Sequence, residues 1–285
     1  ILNFAKQKNI YVNIYNYILK RNFLINKKIF FTNNVNFAED QEFIVKIICF
    51  CKKFQFINDN FYIYKSGNGS LSNRMDLEST MSCIKIIFNL VLLKNKFRNK
   101  NKQKYIETIT LKIFKQFIPR LLCLNQKDIV PIAKYLKSNK KIFNKLDFYF
   151  GNERIHFNKK ILSYKDHLID IQKRVSEDMI KSFAVKKNIK FFSFCYNYYS
   201  LAYEKILRKK KLYFCGHIDN NYLLLNKDKT KKKIISPQSL KNKNKEYKKN
   251  ILIVITNQFR KNIKDITNQL VKLGISKKQI LYKLF

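Results

Sequence analysis

Two adjacent carboxylates, Glu39 and Asp40, are the residues of this chain best placed to do chemistry. They follow a polar loop over 32–38 and lead into an apolar run over 43–50, where Ile44, Val45, Ile47 and Ile48 give a helix one buried face. A carboxylate projecting from a helix start can take the proton of a hydroxyl as its oxygen attacks another group. The same position lets an acid offset the positive end of a helix dipole, so the pair has a structural role open to it as well. Other chemistries lack their parts. His156, His167 and His217 stand far apart without a metal-spaced partner, which points to solvated or core hydrogen-bonding roles. The six cysteines show no paired CxxC pattern, and the lone CxC of Cys49 and Cys51 lies in an apolar run that reads as buried thiol. No P-loop, nucleophile elbow or zincin motif is present.

The elements that must position this pair read as an α/β chain in three parts. Over 1–72 the pattern is mixed: a helix over 11–24, the apolar piece Ile29-Phe30-Phe31, the acid-bearing helix, then strands over 54–57 and 61–65. A polar loop over 66–70 closes that region. Over 73–210 the pattern is mostly helical, with helices predicted over 77–93, 105–122, 165–185 and 196–207 and a solvated basic connector over 94–104. Over 211–285 short continuous apolar runs at 212–216 and 251–255 carry the signature of a buried parallel sheet. A helix over 258–273, with Gly274 as its C-terminal cap, and a last strand over 280–284 complete a small α/β unit.

Four ordered elements over 14–72 carry a resemblance. They are Lys20-Arg21-Asn22-Phe23-Leu24, Glu39-Asp40-Gln41-Glu42-Phe43, Tyr62-Ile63-Tyr64-Lys65 and Ser70-Leu71-Ser72. In this order and spacing the segment resembles the second half of the catalytic domain of bacterial family 2 glycosyltransferases, which have the GT-A fold. It is most similar to those building capsular and surface polysaccharides. The resemblance implies a partial GT-A domain over 1–72 that holds the acceptor side of an inverting sugar transfer. Asp40 would be the base, and Glu39 would support the loop or contact the acceptor. Lys65, with Tyr64 and Ser70, would face the substrate, the lysine offsetting diphosphate charge as a point charge without bidentate geometry. The implied partners are a nucleotide-sugar donor and a glycan acceptor, and the implied cofactor is a divalent metal, Mg or Mn, held by a D-x-D motif. No D-x-D occurs in this sequence, and Asp59 and Asp76 lie outside the expected context. The chain also opens on Ile1, so it reads as a fragment of such an enzyme, inactive by itself, with the donor-binding half expected upstream.

The C-terminal pieces resemble the Rossmann-like domains appended to bacterial sugar-modifying enzymes. There a strand ending in G-x-G-x-x-G precedes a helix, and a later strand ends in I-D-N. Here Gly216 runs straight into His217-Ile218-Asp219-Asn220, so the expectation is a degenerate Rossmann-like unit that has lost the glycine loop and its helix, with Asp219 at the ribose-binding place.

Net charge, at +40, favours anionic partners in principle. Only eight of the 59 basic residues are arginine, however, and the lysines travel with abundant Asn, Ile, Phe and Tyr, the joint mark of AT-rich codons. A basic nucleic-acid-binding or ribosome-associated protein is therefore the alternative reading, and nucleic acid is the less favoured partner. A peripheral contact with anionic headgroups on the inner face of the cell membrane, in a reducing cytoplasm, agrees with the charge and the cysteine usage. The apolar stretch over 84–93 is too short and too interrupted to span a bilayer.

Overall fold

The computed structural model describes residues 14, 17–53, 55, 74–143, 146–150, 153–156, 163–181, 189–226, 234–257 and 260–282. The chain is α/β and divides into two compact units, one of Ile1–Ile118, Gln126–Phe148 and Ile155–Lys165, the other of Pro119–Asn125, Tyr149–Arg154 and Asp166–Phe285.

Helices build the first unit: α1 Arg21–Asn26, α2 Glu39–Phe50, α3 Leu77–Asn95, α4 Lys100–Cys123, α5 Gln126–Ser138 and α6 Lys140–Phe143. The division between the units falls within α4. The apolar stripe foreseen on the acid-bearing helix is buried, with Ile44, Val45, Ile47 and Ile48 at 2% exposure or less. It packs on α3, whose Ile84, Ile86, Ile87 and Leu90 are equally buried. Asp76 starts α3 through a reciprocal cap: the Ser79 amide donates to its carboxylate at 2.8 Å, and the Asp76 amide donates to Ser79 Oγ at 3.3 Å. Residues 17–20 are not helical, so the helix expected over 11–24 is described only as α1. The basic connector ends earlier than expected because Asn99 Oδ1 accepts from the amides of Asn101 and Lys102, which starts α4 at Lys100.

After the paired strands β1 Asp147–Phe150 and β2 Glu153–His156, the second unit continues with α7 Tyr164–Lys181, β3 Lys190–Phe194, α8 Tyr198–Lys209, β4 Phe214–Ile218 and α9 Tyr222–Asn226. Then come β5 Ile234–Ile235, a 3-10 turn Pro237–Leu240, α10 Lys245–Lys249, β6 Ile251–Ile255, α11 Arg260–Lys272 and β7 Ile280–Leu281. Five strands form one parallel sheet in the order β5-β4-β3-β6-β7. This is a Rossmann-like, doubly wound order in which β3 is central and the winding reverses between β3 and β6. Phe192 and Phe194 of β3 join Ile253 and Ile255 of β6, Leu240, and Ile266 and Leu270 of α11 in one apolar cluster. On α8, Ala202, Tyr203, Ile206 and Leu207 are buried, with Tyr203 edge-on to Phe214. Gly274 does close α11 as expected, at φ 86, a left-handed conformation that glycine adopts without strain.

This topology corrects the expectation of a lost loop and helix. The strand ending in Gly216-His217-Ile218-Asp219 is second in the winding order, not first. The first strand is β3, inside the region read as helical, and its helix is α8. The turn joining them, Cys195-Tyr196-Asn197-Tyr198-Tyr199-Ser200, occupies the place of the glycine-rich phosphate loop.

Candidate functional site

The acid pair sits where the helical unit turns from loop into α2. Ala38 precedes it at φ 62, a left-handed conformation that costs a residue with a Cβ about 1 kcal/mol. Such a strained residue beside two acids marks a constrained turn. Glu39 and Asp40 are both half-buried, in the first turn of α2. Asp40 Oδ1 accepts the Gln41 amide at 2.7 Å. Gln41 Nε2 in turn reaches Gln116 Oε1 of α4 at 3.5 Å, and Lys112 stands one turn before Gln116 on that helix. Burial pushes the Asp40 carboxyl above the usual carboxylate range and the Glu39 charge adds to this, while the Gln41 amide and the Lys112 ammonium pull part of the way back. Burial lowers Lys112 below an ordinary lysine, and Asp40 opposes that shift. A desolvated carboxylate with a cation within its field is suited to accepting a proton.

Glu42, two residues on, was not singled out from the sequence as a site residue. It is 1% exposed. Thr32 Oγ1 donates to Glu42 Oε2 at 2.7 Å, Asn89 Nδ2 donates to Oε1 at 3.1 Å, and Lys46 Nζ pairs with Oε1 at 2.8 Å. Lys46 also donates to the Phe30 carbonyl at 3.2 Å, Lys85 to the Asn34 carbonyl at 3.1 Å, and the Asn36 amide to Ser82 Oγ at 3.2 Å. These bonds clamp the 30–36 loop to α2 and α3, and so fix the turn that delivers Asp40. The Glu42–Lys46 spacing of four was the only part of this readable beforehand.

Lys65, Tyr64 and Ser70 lie outside the described residues, as do Tyr62-Ile63-Tyr64-Lys65 and Ser70-Leu71-Ser72 as elements. Among the described residues no three His, Cys, Asp or Glu side chains gather as a metal site. The described residues thus offer no three-ligand set for the divalent metal that the resemblance implies.

In the sheet unit the crevice at the winding reversal is closed by the protein's own groups. Asn197 Oδ1 accepts the Tyr199 and Ser200 amides at the N-terminus of α8, at 2.9 and 3.1 Å, which are the donors a phosphate would need. Asn197 Nδ2 donates to the Thr256 carbonyl at 2.9 Å, and Thr256 Oγ1 donates to the Phe194 and Cys195 carbonyls at 2.8 and 2.7 Å. Asp219 does follow the second strand, yet both its oxygens accept backbone amides, from Tyr196 and Asn221, each at 2.8 Å. Cys195 holds φ 74 where a glycine would be at ease, and burial pushes its thiol up to about 11. The loop is built as a structural joint.

Beneath it lies a Ser–His–Glu chain. His217 Nδ1 is 2.7 Å from Ser193 Oγ, and His217 Nε2 is 3.1 Å from Glu204 Oε2, whose Oε1 accepts from Arg208 Nε at 2.9 Å. The order of groups is that of a nucleophile, a base and an orienting acid. Ser193 is in mid-strand and 0% exposed, however, so no substrate carbonyl can reach it. The chain satisfies core polar groups instead. Replacing His217 with leucine should leave Ser193 and Glu204 buried without that partner, costing about 1–3 kcal/mol, seen as a lower urea midpoint for the sheet unit. An unchanged midpoint would show that the chain contributes nothing.

No described helix is long and apolar enough to cross a membrane. In comparisons with protein families, curated proteins and solved structures, no match to this chain was found.

Proposed function

We propose that the helical unit carries the acceptor-activating side of an inverting glycosyltransferase, with Asp40 as its general base. In this reading Asp40 takes the proton of an acceptor hydroxyl while the oxygen bonds to the anomeric carbon of a nucleotide sugar. The sugar–phosphate bond breaks on the opposite face, and the nucleoside diphosphate leaves with the electron pair. Lys112 keeps the desolvated carboxylate ionised between turnovers, and Glu39 orients the loop or the acceptor. Lys65, with Tyr64 and Ser70, offsets diphosphate charge, as the resemblance implies, and the glycan product belongs to a surface or capsular polysaccharide. The observation that carries the reading is Asp40 itself, a half-buried acid with a raised pKa, held by a strained turn at a helix start.

The test is the pH profile of sugar transfer by the full-length protein as its gene encodes it, with a panel of nucleotide sugars. The base works deprotonated, so transfer should rise with pH through a limb lying above the ordinary carboxylate range, and should be lost as pH falls through it. A limb at the ordinary carboxylate value, or no transfer from any donor, sinks the reading.

A further inference from the structure

Charge in the sheet unit is not evenly spread. All five strands of the main sheet run parallel, so the sheet has one rim of strand starts and one of strand ends. At the ends lie Cys195–Asn197, Asp219–Asn221 and Thr256–Asn257, which contain no lysine or arginine. At the starts lie residues 208–213 before β4, 241–250 before β6 and 272–279 before β7, holding twelve basic residues and a single acid, Glu246. Arg260 and Lys261 open α11 after the end of β6, so the contrast lies in the twelve-to-one ratio of basic to acidic residues at the strand starts. Arg208, Lys209, Lys248, Lys249 and Lys272 stand in the last turns of α-helices and offset their C-termini, whereas Lys210, Lys211, Lys241 and Lys243 lie outside helices with no such need.

The three segments form one continuous surface. The Lys190 amide at the start of β3 donates to the Asn250 carbonyl at 2.8 Å, and the Phe191 amide donates to the Tyr213 carbonyl at 2.9 Å. Lys248 Nζ donates to the Lys241 carbonyl at 3.1 Å, and Gln279 Nε2 donates to the Ile251 carbonyl at 2.7 Å. Lys190 Nζ stands 4.2 Å and Lys243 Nζ 5.2 Å from the centre of the Tyr247 ring. Tyr213 is 66% exposed among these lysines.

We infer that this strand-start rim is a docking surface for a membrane rich in anionic phospholipid. Lysine ammoniums on flexible stems suit a field of mobile headgroups, whereas nucleic-acid readers favour the arginine fork and open aromatic faces for stacking. Here the basic residues are almost all lysine, and Tyr247 is attended by two ammoniums. An exposed tyrosine amid the lysines matches the amphipathic rings that settle at the headgroup level. The inference does not depend on the transferase reading.

The experiment is sedimentation of the full chain with vesicles of phosphatidylcholine alone or of equimolar phosphatidylcholine and phosphatidylglycerol, at several salt concentrations. Binding to the anionic vesicles only, weakening as salt rises, is expected. The combined variant Lys209→Gln, Lys211→Gln, Lys245→Gln and Lys249→Gln should bind roughly a hundred- to a thousandfold less tightly, given the contribution of each lysine near a charged bilayer. A control with the same charge change, Lys100→Gln, Lys104→Gln, Lys137→Gln and Lys140→Gln, should bind within about threefold of the parent. Circular dichroism confirms that both variants are folded. Equal losses in the two variants, no binding to anionic vesicles, or tighter binding of a single-stranded polyuridylate than of the vesicles would each overturn the inference.

Discussion

Asp40→Asn should lower sugar transfer by about 10²–10⁴-fold, nearly all of it in kcat. Asparagine keeps the size of the side chain and an oxygen that can still accept the Gln41 amide, so the first turn of α2 should survive. What it removes is the capacity to accept the acceptor's proton. The substitution also separates the two roles an acid can have at a helix start. If Asp40 served only to cap α2, the neutral amide would cost stability and leave turnover intact. If it is the base, stability should hold or rise slightly, since burial already works against the charged form there. Parallel measurement of turnover and thermal midpoint therefore reads both roles, and undiminished transfer would end the assignment.

Glu42→Ala is expected to destabilise the helical unit by about 2–4 kcal/mol, because Thr32 and Asn89 lose a buried charged acceptor while the part-exposed Lys46 can turn to water. Lys46, Asn89 and Thr32 would lose their shared acceptor, and the Thr32 loop would lose its tie to α2. Glu42→Gln keeps the volume and one carbonyl oxygen and should cost only about 1–2 kcal/mol. Urea unfolding followed by circular dichroism gives both values. If glutamine costs as much as alanine, the charge of Glu42 alone holds this network together; if alanine costs less than about 1 kcal/mol, the network does not hold the loop.

What could be read from sequence followed the strength of local signals. The α2 stripe and the continuous apolar run of β6 need only periodicity, and both fall where they were expected. Gly274 announces the end of α11 because glycine is the usual residue at that conformation. The central strand β3 stayed hidden for the opposite reason. Lys190–Phe194 runs into Cys195, Tyr196 and Asn197 with no glycine or proline between strand and helix, so nothing marked a strand between the helices expected over 165–185 and 196–207. Cys195 takes the left-handed turn that a glycine would have advertised, whereas α8 itself starts within two residues of the helix expected over 196–207. The same gap displaced the winding order by one strand. Glu42 could not be recognised either, because its burial depends on Asn89, which is 47 residues away and joins it only once α2 and α3 have packed.

The central place of β3 has a consequence for how the chain comes to be folded. One of its edges is met by β4, about twenty residues later, while the other waits for β6, whose first residue is Ile251. During synthesis the half-sheet therefore stands with an open row of amides and carbonyls beside Phe192 and Phe194 until β6 emerges, about sixty residues after β3 begins. The lysine-rich segment over 241–250, made just before β6, puts like charge on every nascent copy next to the strand that fills this edge, which discourages two copies from pairing there.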